Sequence, residues 1–255
     1  MNKSDCIVFD DVTIAYGTEE AVRNISFSVP NGEVFAIVGE SGSGKSTLVS
    51  AAFGMLKQAT ITGQILLNGI DISTLSDSDW RKLRGIEISM IFQNPSTYLN
   101  PNRTVENHFK DLFRAHGESY DASRVIDMLN LVHLDGGERI LQSYPFQLSG
   151  GMQQRLAIAL SLILKPTIVF ADEPTSALDI LVQASVLDLL REVTQALGAT
   201  VIIVTHNIKA AARIAHSIGV MNKGHLVEVG PTEEVIHYPK DDYTRVLLDS
   251  VMKVV

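Results

Sequence analysis

Eight residues, Gly39-Glu40-Ser41-Gly42-Ser43-Gly44-Lys45-Ser46, match the spacing G-x-x-x-x-G-K-[ST] at every fixed position. The glycines let backbone N–H groups approach phosphate oxygens closely. Lys45 is expected to reach β- and γ-phosphates as a point charge, Ser46 to ligate Mg²⁺, and Thr47 to help hold the α-phosphate side. Far downstream, the apolar run Ile168 to Ala171 ends in Asp172-Glu173. Carboxylates that emerge at the carboxyl end of a strand stand where α/β proteins bind ligands. Asp172 is expected to hold Mg²⁺ through water or Ser46, and Glu173 to polarise an attacking water as general base. Between these motifs lies Leu148-Ser149-Gly150-Gly151-Met152. Its hydroxyl, two glycines and following helix make an anion site that has no ligand of its own in cis.

These groups must be carried by elements that the sequence also announces. Glu33 to Val38 reads as a short buried strand, Gly39 to Gly44 as a loop and Lys45 to Leu56 as a helix, the context a phosphate loop requires. Cys6 to Val29 alternates and is β-branched, with turns at Tyr16-Gly17 and Pro30-Asn31-Gly32, so antiparallel strands are expected. Ile61 to Ile70 and Ile88 to Phe92 are further strands, the second ending at Gln93. From Val105 to about Leu134 the apolar spacing is helical, with Val125, Met128, Leu129 and Val132 on one face. Helices are expected from Met152 to Leu164 and from Val182 to Leu197, the latter closing at Gly198, with Thr200 to Thr205 a buried strand that leads into His206. The sum is an α/β repeat with a parallel sheet, followed by a tail from Pro231 that ends in a short helix near Tyr243 to Met252.

Composition narrows the function classes. With 255 residues, 45% hydrophobic and 20% charged, the chain is an ordinary globular one. A formal charge of -8 gives no basic field, so nucleic acid is not an expected partner. The lone Cys6 excludes an internal disulfide and a cysteine-rich metal cluster, and fits a reducing compartment. The seven histidines show no close i, i+4 pair of the kind that builds a helical zinc site. The N-terminal Met1 to Cys6 lacks the apolar core of a signal peptide, and the apolar stretch near Leu156 to Leu164 is broken by Lys165-Pro166. The chain is therefore not expected to cross a bilayer by itself.

The order of these motifs resembles the ATP-binding subunits of ABC transporters, from about Phe9 to about Leu248. The resemblance implies an α/β P-loop NTPase (RecA-like) core with a parallel sheet, an N-terminal antiparallel β subdomain and an inserted α-helical subdomain. It implies one nucleotide-binding domain over 6–255, with 6–93 and 165–230 as the ATP-binding core, 94–164 as the helical part and 231–255 as the tail. ATP and Mg²⁺ are the implied ligands. Gln93 then resembles the glutamine whose amide contacts Mg²⁺ or the lytic water, Tyr16 the aromatic that stacks on adenine, and His206 the histidine that bonds the γ-phosphate and orients water or Glu173. Lys45, Gln93, Glu173 and His206 form the implied catalytic set. Ser176-Ala177-Leu178-Asp179 resembles the segment that crosses a dimer interface, although Asp179 also fits a plain helix cap.

In that family two subunits face head to tail, and Ser149, Gly150 and Gly151 close over the phosphate held by the partner subunit's Lys45. The implied partners are a second ABC ATPase subunit, two transmembrane permease subunits and, indirectly, an extracytoplasmic substrate-binding protein. The implied location is the cytoplasmic face of the membrane. The run Gln93-Asn94-Pro95-Ser96-Thr97-Tyr98-Leu99-Asn100-Pro101 resembles the version in peptide and nickel importers, and the tail Tyr238 to Leu248 resembles an extended form of that group's H-P-Y-T-x-x-L-L pattern. Uptake of peptides, nickel or a related metal chelate is thus the expected task. Two positions depart from the pattern: Phe146 stands where the importer group often has histidine, and Asn207 where relatives commonly have aspartate. No cysteine cluster follows the tail, so no iron-sulfur centre is expected. A non-transport ABC ATPase would carry a long coiled coil or tandem cassettes, and a metabolite kinase would lack the pentapeptide and Glu173.

Overall fold

Side-chain alternation and β-branching pair β1 (Asp5–Tyr16) antiparallel with β2 (Glu19–Pro30). The chain then enters β3 (Val34–Val38), buried along its whole length, and α1 (Lys45–Ala52). β4 (Thr60–Leu67) and β5 (Ile70–Asp71) complete a four-stranded antiparallel sheet in the order β2-β1-β4-β5. α2 (Asp77–Leu83) leads to β6 (Ile88–Ile91). The helical segment follows as α3 (Val105–Ala115), α4 (Ala122–Leu131), α5 (Gly137–Gln142) and α6 (Gly150–Leu162). β7 (Ile168–Asp172), α7 (Ile180–Leu197), β8 (Thr200–Thr205), α8 (Ile208–Ile214) and β9 (Ser217–Asn222) resume the α/β alternation. The chain finishes with β10 (His225–Pro231), α9 (Thr232–His237) and α10 (Asp242–Met252).

This computed structural model describes residues 5–252. The leading Met1 to Ser4 and the last three positions of the expected 231–255 tail lie outside the described residues.

The second sheet has the order β10-β9-β3-β8-β7-β6, with every pairing parallel except that of β9 with β10. Period two sorts its side chains between two cores. Val34, Ala36, Val38, Val169, Ala171, Val201 and Ile203 face one core, shared with α3, α4, α6 and α7. Phe35, Ile37, Ile168, Phe170, Ile202 and Val204 face the other, shared with α1 and the antiparallel sheet. A sheet buried on both faces explains why its strands read as continuous apolar runs.

Several boundaries differ from the sequence expectation. α1 stops at Ala52, not Leu56, because the Arg84 guanidinium takes the carbonyls of Phe53 (3.1 Å) and Gly54 (2.7 Å) and closes the helix end. The helical stretch from Val105 breaks after Ala115, and Asp121 caps a new helix by accepting from the N–H groups of Ser123 and Arg124. β9, β10, α8 and α9 were not distinguished in the sequence.

Candidate functional site

Four neighbouring strands, β3, β8, β7 and β6, deliver the chemistry at their carboxyl ends, side by side and in register. Beyond β3 comes the phosphate loop, beyond β8 His206, beyond β7 Glu173 and beyond β6 Gln93. Residues separated by more than a hundred positions therefore line one open cleft of about 400 Å³: Ser41, Gly42, Gly44, Lys45, Ser46, Thr47, Gln93, Glu173 and His206, together with Ala21 and Ser176.

The loop is shaped by its glycines. Gly44 stands at φ +101 as the residue before α1, and a Cβ there would fall 2.4 Å from the Ala21 carbonyl oxygen. Only glycine allows that approach. The Lys45 ammonium is buried and donates to Gly39 O (2.9 Å), Glu40 O (2.7 Å) and Ser43 Oγ (3.2 Å), so it is folded back on its own loop. Burial lowers its pKa from the usual lysine value, against the opposing pull of Glu173, Asp172 and Glu40.

The Ser46 hydroxyl donates to Asp172 Oδ1 at 2.8 Å. Burial raises the Asp172 carboxyl above the usual carboxylate range, helped by the charge of Glu173 and opposed by Ser46 and Lys45. Glu173 sits at φ +48, a left-handed conformation that costs a non-glycine residue about 1–2 kcal/mol. Its N–H donates to the Val204 carbonyl (2.9 Å), which ties the strained turn to β8. Both Glu173 carboxylate oxygens lie within 2.8–2.9 Å of His206 Nδ1. An ionised carboxylate only accepts, so the proton belongs on Nδ1 and Nε2 is left available. Gln93 Nε2 donates to Ser176 Oγ (2.9 Å), whose hydroxyl donates to the Glu173 carbonyl (3.2 Å). Gln93 is thereby linked to the turn that carries Glu173.

The pentapeptide stands elsewhere. Ser149 caps α6 by accepting from Met152 N–H at 3.3 Å, which leaves the Gly150 and Gly151 N–H groups in a first turn with no intrahelical acceptor. With Met152, Leu178, Asp179 and Val182 they line a second cleft of about 390 Å³. It shares no residue with the phosphate-loop cleft. Gly151 lets α6 approach α7, since a Cβ there would be 2.8 Å from Val182 Cγ1. Asp179 accepts from Val182 N–H (3.1 Å) and caps α7, the plainer of its two expected roles.

Tyr16 ends β1 in the hairpin whose other strand brings Ala21 to the cleft; its ring is exposed and outside the lining. Asn207 caps α8 by accepting from the N–H groups of Lys209 and Ala210. Phe146 is 68% exposed and stacks on Tyr144, with ring centroids 5.5 Å apart. Sequence reasoning gave Ala21 and the Ser176 hydroxyl no part in the cleft. Ser176 opens the Ser176 to Asp179 segment, but its bond to Gln93 depends on β6 and β7 being neighbours.

A family model described as ABC transporter matches residues 22–176. The chain belongs to the ABC transporter family. Within it, this cassette is 44% identical to the dipeptide transport ATP-binding protein DppD of Bacillus subtilis, over 92% of the chain and 72% of that relative. It is 41% identical to the oligopeptide transport ATP-binding protein OppD of Lactococcus lactis subsp. cremoris, over 93% and 72%. A solved cassette from Clostridium perfringens, described as part of the ABC transporter complex cbiONQ, shares the fold with a TM-score of 0.80 and 28% identity, covering 98% of each chain. A dimeric ATP-binding cassette in a post-hydrolysis state, bound to ADP and Pi, gives 0.76 and 31%, covering 89% of this chain and 98% of that one. The expected P-loop NTPase fold with an antiparallel β region is thus the fold of known ABC ATPases, and this ABC cassette is a nucleotide-binding ATPase. Among the described residues no helix is long and apolar enough to cross a membrane.

Proposed function

We propose that the chain is the ATP-hydrolysing subunit of an importer for peptides, nickel or a related metal chelate. It works with a second ABC ATPase subunit, a copy of itself or a related cassette, on the cytoplasmic face of a membrane beneath two permease subunits fed by an extracytoplasmic binding protein. The observation that carries this reading is the separation of the two clefts within one chain. Each holds half of what phosphoryl transfer needs, so a head-to-tail pair completes two sites. The importer class is supported by the resemblance of the Gln93 to Pro101 run and is consistent with the dipeptide and oligopeptide transport named for two relatives. The residues 6–93 and 165–230 form the ATP-binding core in this reading, 94–164 the helical part and 231–255 the tail.

In the working site Gly39 to Gly44 present backbone N–H groups to the phosphates, and Lys45 turns from its loop carbonyls to the β- and γ-phosphate oxygens. Thr47 borders the α-phosphate, and Tyr16 stacks on the adenine. The residues present suit Mg²⁺, a hard ion that takes a hydroxyl and one carboxylate alongside substrate phosphates: Ser46 and Asp172 already touch, and Gln93 can add its amide oxygen. Bound there, Mg²⁺ would neutralise charge on the β- and γ-phosphate oxygens. Glu173 accepts a proton from water as the oxygen attacks the γ-phosphorus, the bond to the β-phosphate oxygen breaks, and ADP and phosphate leave. His206 holds Glu173 through Nδ1, and its Nε2 accepts from that water when neutral or donates to a γ-phosphate oxygen when protonated. Ser149 and the Gly150 and Gly151 N–H groups of one subunit cover the phosphate of the other, with Asp179 close by.

Glu173→Gln tests the assignment. Nucleotide binding should survive, turnover should fall by about 10² to 10⁴ as for loss of a general base, and a nucleotide-bound pair should accumulate on size exclusion. Hydrolysis near the wild-type rate would remove Glu173 from the role of base.

A further inference from the structure

The C-terminal tail takes no part in the hydrolysis described above, yet it reaches the phosphate loop. β10 carries Glu228, a nearly buried acid whose Oε1 and Oε2 accept the N–H groups of Lys240 (2.9 Å) and Asp241 (3.1 Å). Burial disfavours the charged carboxylate, but these donors outweigh it and hold its pKa below the usual value. Asp241 Oδ1 in turn accepts from the Tyr243 N–H at 2.8 Å, which fixes the start of α10. α10 then packs on α8, the helix that follows His206, and buries Leu247.

So anchored, Tyr243 sets its ring against the main core and its Oη 3.1 Å from the Glu40 N–H, from which it accepts a hydrogen bond. Burial of the ring, together with the charge of Glu40, raises the phenol pKa, so the hydroxyl stays neutral. The peptide unit that joins Gly39 to Glu40 is thereby held from two sides: Lys45 Nζ donates to its carbonyl at 2.9 Å and Tyr243 accepts from its N–H. A triphosphate that draws Lys45 away leaves the tyrosine as the side chain still tethered to that peptide.

We propose that Tyr243 is a positioning residue for ATP binding: it holds the first peptide of the phosphate loop in its receiving conformation, through a tail locked to β10 by Glu228. The inference rests on Gly39 to Ser46 being the triphosphate cradle.

Tyr243→Phe removes one oxygen and keeps the ring. In the full chain, titrated with a fluorescent ATP analogue, it should weaken nucleotide binding about three- to tenfold, one hydrogen bond's worth, with kcat changed by less than about twofold. Tyr238→Phe, on the same tail but 77% exposed, is the control and should bind as the wild type does. Backbone hydrogen exchange at 40–41 in the nucleotide-free chain should quicken in Tyr243→Phe, while β8 exchanges as before. Unchanged affinity in Tyr243→Phe overturns the proposal, whatever the exchange shows. Faster exchange throughout β8 overturns it too, because the tyrosine would then stabilise the whole domain rather than the loop. Lys45→Ala separates the two readings: if that variant still binds the analogue as the wild type does, the cradle itself is wrong.

Discussion

At the residue scale, burial beside another acid sets Asp172 at an electrostatic cost. Asp172 is held part-buried beside Glu173, and burial raises its carboxyl above the usual carboxylate range. A raised acid makes the folded state bind more protons than the unfolded one over the window between the two pKa values, so stability falls as pH rises through it. Above the folded pKa the whole penalty is present, so at pH 7 Asp172 destabilises the fold. Asp172→Asn, which still accepts from Ser46, should therefore raise the melting temperature of the nucleotide-free protein at pH 7, by about 2–4 °C for each kcal/mol recovered. That gain should fade below the ordinary carboxylate range, and Mg²⁺-dependent nucleotide binding should be lost at every pH. A lower melting temperature at pH 7 would show that the carboxylate is not under this strain. The identity of the acid was legible from its place after Ile168 to Ala171. Its state was not: a link to Ser46, 126 positions away, is expected from the motifs, but the burial that raises the carboxyl depends on how the chain packs around it. The same holds for Lys45: the motif announces its charge, whereas its three bonds to Gly39, Glu40 and Ser43 depend on how the loop closes.

At the element scale, legibility followed the source of the signal. β3, β7 and β8 are apolar throughout because both faces of the sheet are covered, and they were readable as such. β9 and β10 were not: Gly219 interrupts one, and Glu228 places an acid inside the other. That acid makes sense only once the tail has folded onto it. Helix ends divide in the same way. Gly198 closes α7 by a local device and was legible, whereas α1 is ended by Arg84 from another helix end and was not. Asn207 has a local task at this scale. Its side chain accepts from two N–H groups at the start of α8, a task asparagine and aspartate perform about equally well. Asn207→Asp should leave the denaturant midpoint nearly unchanged, whereas Asn207→Ala should cost about 1 kcal/mol of unfolding free energy. Equal midpoints for the alanine variant and the wild type would deny the cap any energetic weight.

At the scale of the whole molecule, one cleft gathers the phosphate-loop motif with Gln93, Glu173 and His206, while a second holds the N-terminus of α6 with only Met152 N–H taken by the Ser149 cap. The Gly150 and Gly151 N–H groups cannot be satisfied within α6, and such a terminus favours negative charge. In the proposed head-to-tail pair a phosphate held by the other cassette would supply it, and hydrolysis would then depend on pairing. Trans-acting groups of this kind raise phosphoryl-transfer rates by about 10³ to 10⁵ in other enzymes, far more than the proposed stacking of Tyr16 on adenine would contribute. The arrangement predicts an asymmetric result when one subunit is altered. Let a tagged chain carrying Ser149→Ala be paired with an unmodified cassette, and let photoreactive ATP label whichever cradle retains it. Labelling should fall about tenfold or more on the untagged subunit, whose phosphate has lost a donor across the interface, and persist on the tagged one. Loss confined to the tagged chain would mean that Ser149 serves the cradle of its own subunit, and the two clefts would have to be joined within one chain.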